Sequence, residues 1–184
     1  SIPIADCRFA PEHLDVRIGA ATLSEGRLEG GAASAKHAVS WRLTFAGDAP
    51  PLLLLPESMY AGGFPKAKAL VARPNAAFTG MLTVDGREIA IDGWRGSQNH
   101  NWGSRHTDRY AWGQVAGFDG APEAFLECST ARVRMGRVWT PWLTLVALRL
   151  EGRELAINGL VSAARARARI DGTGTSGQAG AALG

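Results

Sequence analysis

An all-β fold is what this chain predicts, on three observations. Short stretches alternate apolar and polar residues with a period of two. Turn signals built from an acidic residue and glycine recur at intervals of about 8 to 12 residues. No window sustains a 3.6-residue apolar period over the length of a helix. At 184 residues, with 46% hydrophobic and 20% charged residues, the chain is long enough for one hydrophobic core and close to ordinary globular composition. The architecture expected is an antiparallel β-barrel or sandwich.

The strands follow in order. Residues 14–23 (LDVRIGAATL) and 38–45 (AVSWRLTF) alternate, and the second places Val39, Trp41, Leu43 and Phe45 on one face. Between them, the glycine and charge content of Glu25-Gly-Arg-Leu-Glu-Gly-Gly-Ala predicts a turn around a short strand. Leu52 to Leu55 forms a brief apolar strand stopped by Pro56. Phe78 to Val84, Asp85-Gly86 and Arg87 to Ile91 make a hairpin, because Asp-Gly suits a type I′ turn. Leu143 to Leu150, Glu151-Gly152 and Arg153 to Ile157 make another. The two share the pattern VDGREIAI and LEGRELAI, which we read as common turn chemistry rather than duplication, since the flanking residues do not match. Tyr110 to Phe118 and Glu123 to Thr130 bracket a turn at Asp119-Gly120-Ala-Pro122. The run from Ala147 to Ile170 alternates again, so Arg165, Arg167 and Arg169 are expected on the solvated face of a strand. The expected β domain covers residues 1–170, with a possible junction between two β units near 92–114. Residues 171–184 (DGTGTSGQAGAALG) are rich in glycine and alanine and are expected to form a flexible tail.

Several functions find little support. The net charge is only +3 and the basic residues are scattered, which disfavours nucleic-acid and membrane-surface roles. No apolar run approaches the ~18 residues of a membrane span. Cys7 and Cys128 match no metal or redox spacing, and leave the redox compartment open. No cofactor and no metal are implied.

One stretch stands apart. DGWRGSQNHNWGSRHTDRYAWGQ, residues 92–114, holds three of the six tryptophans, two of the four histidines and four of the 23 glycines. His100 and His106 are six apart, a spacing suited to neither a helical nor a strand metal pair. No serine sits in a nucleophile elbow, and Ser97 reads as a loop serine. What the stretch offers is a histidine that titrates near neutrality beside a carboxylate, among indole walls and amide groups. His100 and Asp108 are therefore the candidate catalytic residues. Asn99, Asn101, Trp102, Arg105, His106 and Trp112 are the candidate ligand-binding residues. A satisfied polar network that merely pins β structure would use the same residue types.

Asn99-His-Asn-Trp-Gly103, preceded by Gly93-Trp-Arg-Gly96 and followed by Tyr110-Ala-Trp-Gly-Gln114, resembles the motif of the lipocalin-like superfamily that includes carotenoid 1,2-hydratase (hydroxyneurosporene synthase), attachment-protein lipocalin-like domains, tocopherol cyclase and barrel-type Diels-Alderases. The likeness rests on residues 92–120. It implies a lipocalin-like β-barrel, possibly part of a tandem two-barrel protein, that holds a hydrophobic, isoprenoid or polyketide-like molecule. It also implies acid-assisted chemistry, either hydration of an alkene or ring closure, as in a lyase or cyclase. In that setting each tryptophan face would stabilise a developing carbocation by ~0.5 to 2 kcal/mol. Two rivals remain: a non-catalytic lipid-binding or stress-related carrier, and a structural β domain whose interior is filled by side chains. Both rivals and the enzyme share the expectation that His100 and Trp102 are buried.

Overall fold

The computed structural model describes residues 2–166, together with the backbone of 171–173 and 178–180. Strand accounts for 63% of the chain and helix for 7%, so the all-β expectation holds. The strands are β1 (Cys7–Phe9), β2 (Asp15–Ile18), β3 (Ala21–Ser24), β4 (Arg27–Ala33), β5 (Ala38–Ala46), β6 (Leu52–Leu53), β7 (Ala67–Val84) and β8 (Arg87–Gly103). They continue as β9 (Arg109–Phe118), β10 (Ala121–Arg132), β11 (Arg134–Met135), β12 (Val138–Trp139), β13 (Leu143–Leu150) and β14 (Arg153–Ile157), with β15 (Asp171–Thr173) and β16 (Gln178–Gly180) pairing in a last short hairpin. Two short helices interrupt them, α1 (Ser58–Ala61) and α2 (Leu160–Arg165).

The chain divides into two units. Unit 1 comprises 1–48 and 76–96, and unit 2 comprises 49–75 and 97–184, so both β7 and β8 contribute to each. The third crossing lies between Gly96 and Ser97, within the tryptophan-rich stretch.

Unit 1 is an antiparallel meander in which β1 to β5 pair in sequence and β5 then pairs with the second half of β7, Phe45 opposite Phe78. On β5 the inward face is the expected one, with Val39, Trp41 and Leu43 half-buried, Phe45 buried and the intervening residues exposed. Phe45 stacks on Phe78 with ring centroids 5.5 Å apart. Asp85 and Gly86 both have positive φ, 51° and 81°, as a type I′ turn requires. Glu151 and Gly152 repeat that geometry in unit 2, at 51° and 71°.

Unit 2 is built on a four-stranded antiparallel sheet of order β14-β13-β10-β9. One face carries Phe125 and Ala147, which pack with Leu52, Leu54 and Val71 into the buried core. β6 pairs with the first half of β7, Leu52 opposite Val71, and so presents those aliphatics to the sheet.

Four expectations need correcting. Among the described residues no closed barrel is found: the outer strands of the four-stranded sheet, β9 and β14, each have one partner, whereas closure requires the edges to pair. Residues 14–23 are two strands rather than one, because Gly19, at φ +60°, turns the chain between β2 and β3. The stretch from 92 to 103 is not a loop but the continuation of β8, which pairs with β7. Alternation beyond Ile157 gives way to α2, with Arg165 in its last turn, since alanine and arginine are strong helix formers whatever their charge pattern. Arg167 and Arg169 lie outside the described residues, as do 174–177 and 181–184 of the expected tail.

Candidate functional site

Strand alternation and register assemble the site in unit 2. On β9 the residues Tyr110, Trp112, Gln114 and Ala116 share a face, and β10 sets Ala131, Ser129, Glu127 and Phe125 opposite them in that order. On its other side Glu127 faces Ala147 of β13. Glu127 therefore occupies the same sheet face as the core residues Phe125 and Ala147, and it is 3% exposed.

A carboxylate in that position requires hydrogen-bond donors, because burying a charged or polar group without partners costs several kcal/mol. The neighbouring strand supplies two. Trp112 Nε1 donates to Glu127 Oε1 at 3.0 Å, and Gln114 Nε2 donates to Glu127 Oε2 at 2.9 Å. The remaining amide proton of Gln114 goes to Asn99 Oδ1 at 3.3 Å, while Ser97 Oγ donates to Gln114 Oε1. Gln114 thus uses all of its donors and its acceptor within the network, which fixes the orientation of its amide. Ser97 and Asn99 come from β8, two residues apart and so on one side of it.

An aromatic row lies alongside. Trp102 is half-buried and stacks on His100, with centroids 5.0 Å apart, and packs at 5.8 Å against Tyr60 of α1. The Tyr60 hydroxyl donates to Ala69 O at 2.7 Å and accepts from Leu55 N at 3.3 Å. Burial pushes the Tyr60 phenol above its usual value, and the negative charge of Glu127 adds to the shift.

The glycine of the Asn-His-Asn-Trp-Gly motif has a steric reason. Gly103 adopts φ +144°, and a Cβ there would sit 1.9 Å from the Lys66 carbonyl oxygen. Ser104 N donates to that same oxygen at 3.0 Å, so the close approach is tied down.

The predicted site residues separate into three groups. Asn99 and Trp112 join the network around Glu127, and Trp102 with His100 forms the aromatic row. Arg105 and Asp108 bind each other at 2.6 Å, and Asp108 Oδ2 accepts from Arg134 N at 2.9 Å. That backbone N–H, followed by Arg105, holds the Asp108 carboxyl below its usual range, which makes it a poor proton donor near neutrality. Asn101 and His106 are exposed. His100 is exposed as well, and Trp102 is only half-buried, which corrects the expectation that both are buried. The physical reason is that both residues stand near the end of a strand, β8, that pairs with β7 instead of being enclosed at the end of a barrel.

Glu127, Gln114, Ser97 and Tyr60 were missed as site residues. Glu127 had a legible signal: it sits at an inward position of an apolar strand, two residues from Phe125 and two from Ser129. Tyr60 had none, because only the tertiary fold carries α1 to Trp102.

Among the described residues no group of three or more His, Cys, Asp or Glu could hold a metal ion, and no helix is long and apolar enough to cross a membrane. Cys7 and Cys128 are free thiols. A shallow trough of about 350 Å³ in unit 1, floored by residues such as Gly31, Ala33 and Ser40, has no titratable group in its lining and therefore offers no acid or base.

No family model matches the chain, and no solved structure matches it. Two uncharacterized proteins of Mycobacterium tuberculosis, one from strain H37Rv and one from strain CDC 1551, are each 29% identical to it over 76 residues. That match covers 41% of this chain and 23% of each relative, so the chain aligns with about a quarter of their length.

Proposed function

We propose that unit 2 handles a hydrophobic, isoprenoid-like small molecule by acid-assisted chemistry, in the manner of the lipocalin-like hydratase and cyclase superfamily. The observation that carries this reading is Glu127, a carboxyl group 3% exposed, on an apolar sheet face and held by Trp112 and Gln114. In the reaction proposed, Glu127 takes up a proton from solvent and delivers it to an alkene carbon. Water captures the resulting cation and returns a proton to the carboxylate, which gives net hydration. In ring closure, a second alkene of the same molecule captures the cation instead, and loss of a proton restores the acid. Trp112, Trp102 and Tyr60 are the aromatic surfaces for the cation, and Asn99 orients the network through Gln114.

A carrier of the same apolar molecule is the second reading. It is favoured by one observation: both oxygens of Glu127 already have donors, so the network is complete as a structural device. The deciding experiment is Glu127→Gln, which preserves size and polarity but carries no transferable proton. Apolar molecules that co-purify with the protein are extracted, and these compounds together with linear polyenes are offered as substrates. Loss of conversion with retained binding supports the enzyme. Binding by both proteins with conversion by neither supports the carrier. Conversion unchanged in the variant removes Glu127 from the chemistry.

A further inference from the structure

The sheet of unit 2 ends in a cluster of arginines and tryptophans that the network around Glu127 does not use. Arg109 and Arg132 stand directly opposite each other on β9 and β10, a like-charge pairing that is destabilising unless something offsets it. Trp139 does part of this, with the Arg109 guanidinium carbon 5.1 Å and the Arg132 carbon 4.7 Å from its ring centroid. Trp142 adds a second indole 4.8 Å from Arg132. The Nε of Arg132 is buried without a hydrogen-bond acceptor.

Beyond this cluster the β11–β12 hairpin projects on a braced stem. Thr140 N donates to Val133 O at 3.0 Å, Val133 N donates to Thr140 Oγ1 at 3.0 Å, and Arg134 N is held by Asp108. At its tip Met135 and Val138 face each other across the pair, 62% and 69% exposed, and Trp142 nearby is 46% exposed. Gly136, at φ +63°, is the first residue of the two-residue turn, as a type II′ turn requires. Residues 132–142 contain three arginines and no acid. Asp108 is already engaged with Arg105, and Arg109, Arg132 and Arg137 have no carboxylate partner among the described residues.

We propose that this hairpin is a docking surface for an anionic lipid bilayer, with Met135 and Val138 entering the acyl boundary and Arg109, Arg132, Arg134 and Arg137 meeting lipid phosphates. Charge complementarity selects the partner, since Arg109, Arg132 and Arg137, which have no carboxylate partner among the described residues, are matched by phosphate, which arginine binds in a forked geometry. The apolar tip favours lipid over nucleic acid: the exposed Met135 and Val138 side chains gain from hydrocarbon and would gain nothing from a base, which could stack on Trp142 alone. Tryptophan is favoured at the bilayer interface, which suits Trp142. The arrangement needs both signals together, because neither a few basic residues nor two small apolar side chains hold a protein at a membrane alone.

The test is co-sedimentation of the full chain with vesicles of phosphatidylcholine, alone or mixed with phosphatidylglycerol. Binding to the mixed vesicles should exceed binding to neutral ones by on the order of tenfold at low salt, and should weaken as salt rises. Met135→Glu with Val138→Glu should reduce it by a similar factor, and so should Arg137→Glu; all three positions are exposed, and unchanged circular dichroism shows that the fold is retained. Equal binding to both vesicle types, no binding to either, or variants that bind like wild type would overturn the proposal. Retention on a single-stranded oligonucleotide with no vesicle binding would overturn it too, in favour of nucleic acid.

Discussion

Both units carry ion pairs at the surface, but unit 2 also buries a carboxylate. In unit 1 the paired acids are at the surface, where Glu29 binds Arg27 at 3.0 Å and Arg42 at 3.1 Å, and Asp85 binds His37 at 2.8 Å. In unit 2 Glu127 is buried and its bonded partners are the neutral N–H groups of Trp112 and Gln114. Surface pairs keep water as a reserve partner, so each contributes little, and losing one leaves both groups solvated. A buried carboxylate has no such reserve, and the half-buried Gln114 amide that serves it becomes an unsatisfied group once it is removed. The difference shows that one fold class can carry charge as solvent-facing decoration or as an organising centre, according to which strand face receives the residue.

Glu127→Ala should give the largest effect that separates the units. It leaves a half-buried Gln114 amide N–H unpaired beside an empty volume, at an expected cost of ~1 to 3 kcal/mol. Hydrogen exchange of β9 and β10 amides would report it. Glu29→Ala should leave protection of the β4 and β5 amides unchanged. Equal losses in both variants would break the comparison.

The next effect separates a crowded positive-φ glycine of unit 2 from an open one of unit 1. Gly103→Ala drives a Cβ against the Lys66 carbonyl and should cost ~1 to 3 kcal/mol in urea unfolding. Gly86→Ala meets nothing within 4 Å and should cost about 1 kcal/mol, from backbone strain alone. A Gly103 variant as stable as the Gly86 variant would show that β8 has room to relax there.

A smaller and symmetrical effect is expected where the units agree. Gly86→Val and Gly152→Val place a branched side chain in the same positive-φ turn position, with open space around each, so both should lose ~1 to 3 kcal/mol and differ by less than about 0.5 kcal/mol. A large difference would mean that tertiary packing, not turn chemistry, governs one of the hairpins.

Acid titration should give the smallest change. The Arg42 and Arg27 guanidinium groups lower the Glu29 carboxyl from its ordinary 4.5, and His37 and the Ala38 N–H lower Asp85 from 3.8. The Arg134 N–H and Arg105 lower Asp108 from 3.8. Each folded carboxyl releases its proton more readily than in the unfolded chain. The stabilisation is therefore complete above these ordinary values and is lost as pH falls through and below them. Because the groups are exposed, added salt should shrink the effect. A melting temperature that rises on acidification below pH 4.5 would contradict the assignment.

Much of the local structure was legible before any coordinates. Val39, Trp41, Leu43 and Phe45 occupy one face of β5 because period-two alternation leaves little choice. The turns at Asp85-Gly86 and Glu151-Gly152 follow from residues that tolerate left-handed backbone. The site was legible only in outline. Asn99, Trp102 and Trp112 lie in it or beside it, but Asp108 was chosen as the acid for its proximity in sequence to histidine, and Glu127, which lies outside that stretch, was not considered. The arginines looked scattered because the registry that sets Arg109 against Arg132 joins residues 23 positions apart.

By itself, the sequence determined the strand faces, the turn positions and the all-β class of this protein, since these depend on neighbours one to four residues away and on the intrinsic limits of φ and ψ. Only the tertiary structure decided that the strands do not close into a barrel, that α1 brings Tyr60 to Trp102, and that Glu127 is the acid that becomes buried. Those outcomes depend on which strands pair and in which register, and a register is chosen by the total apolar area it buries, a sum over residues far apart in the chain that no short stretch contains.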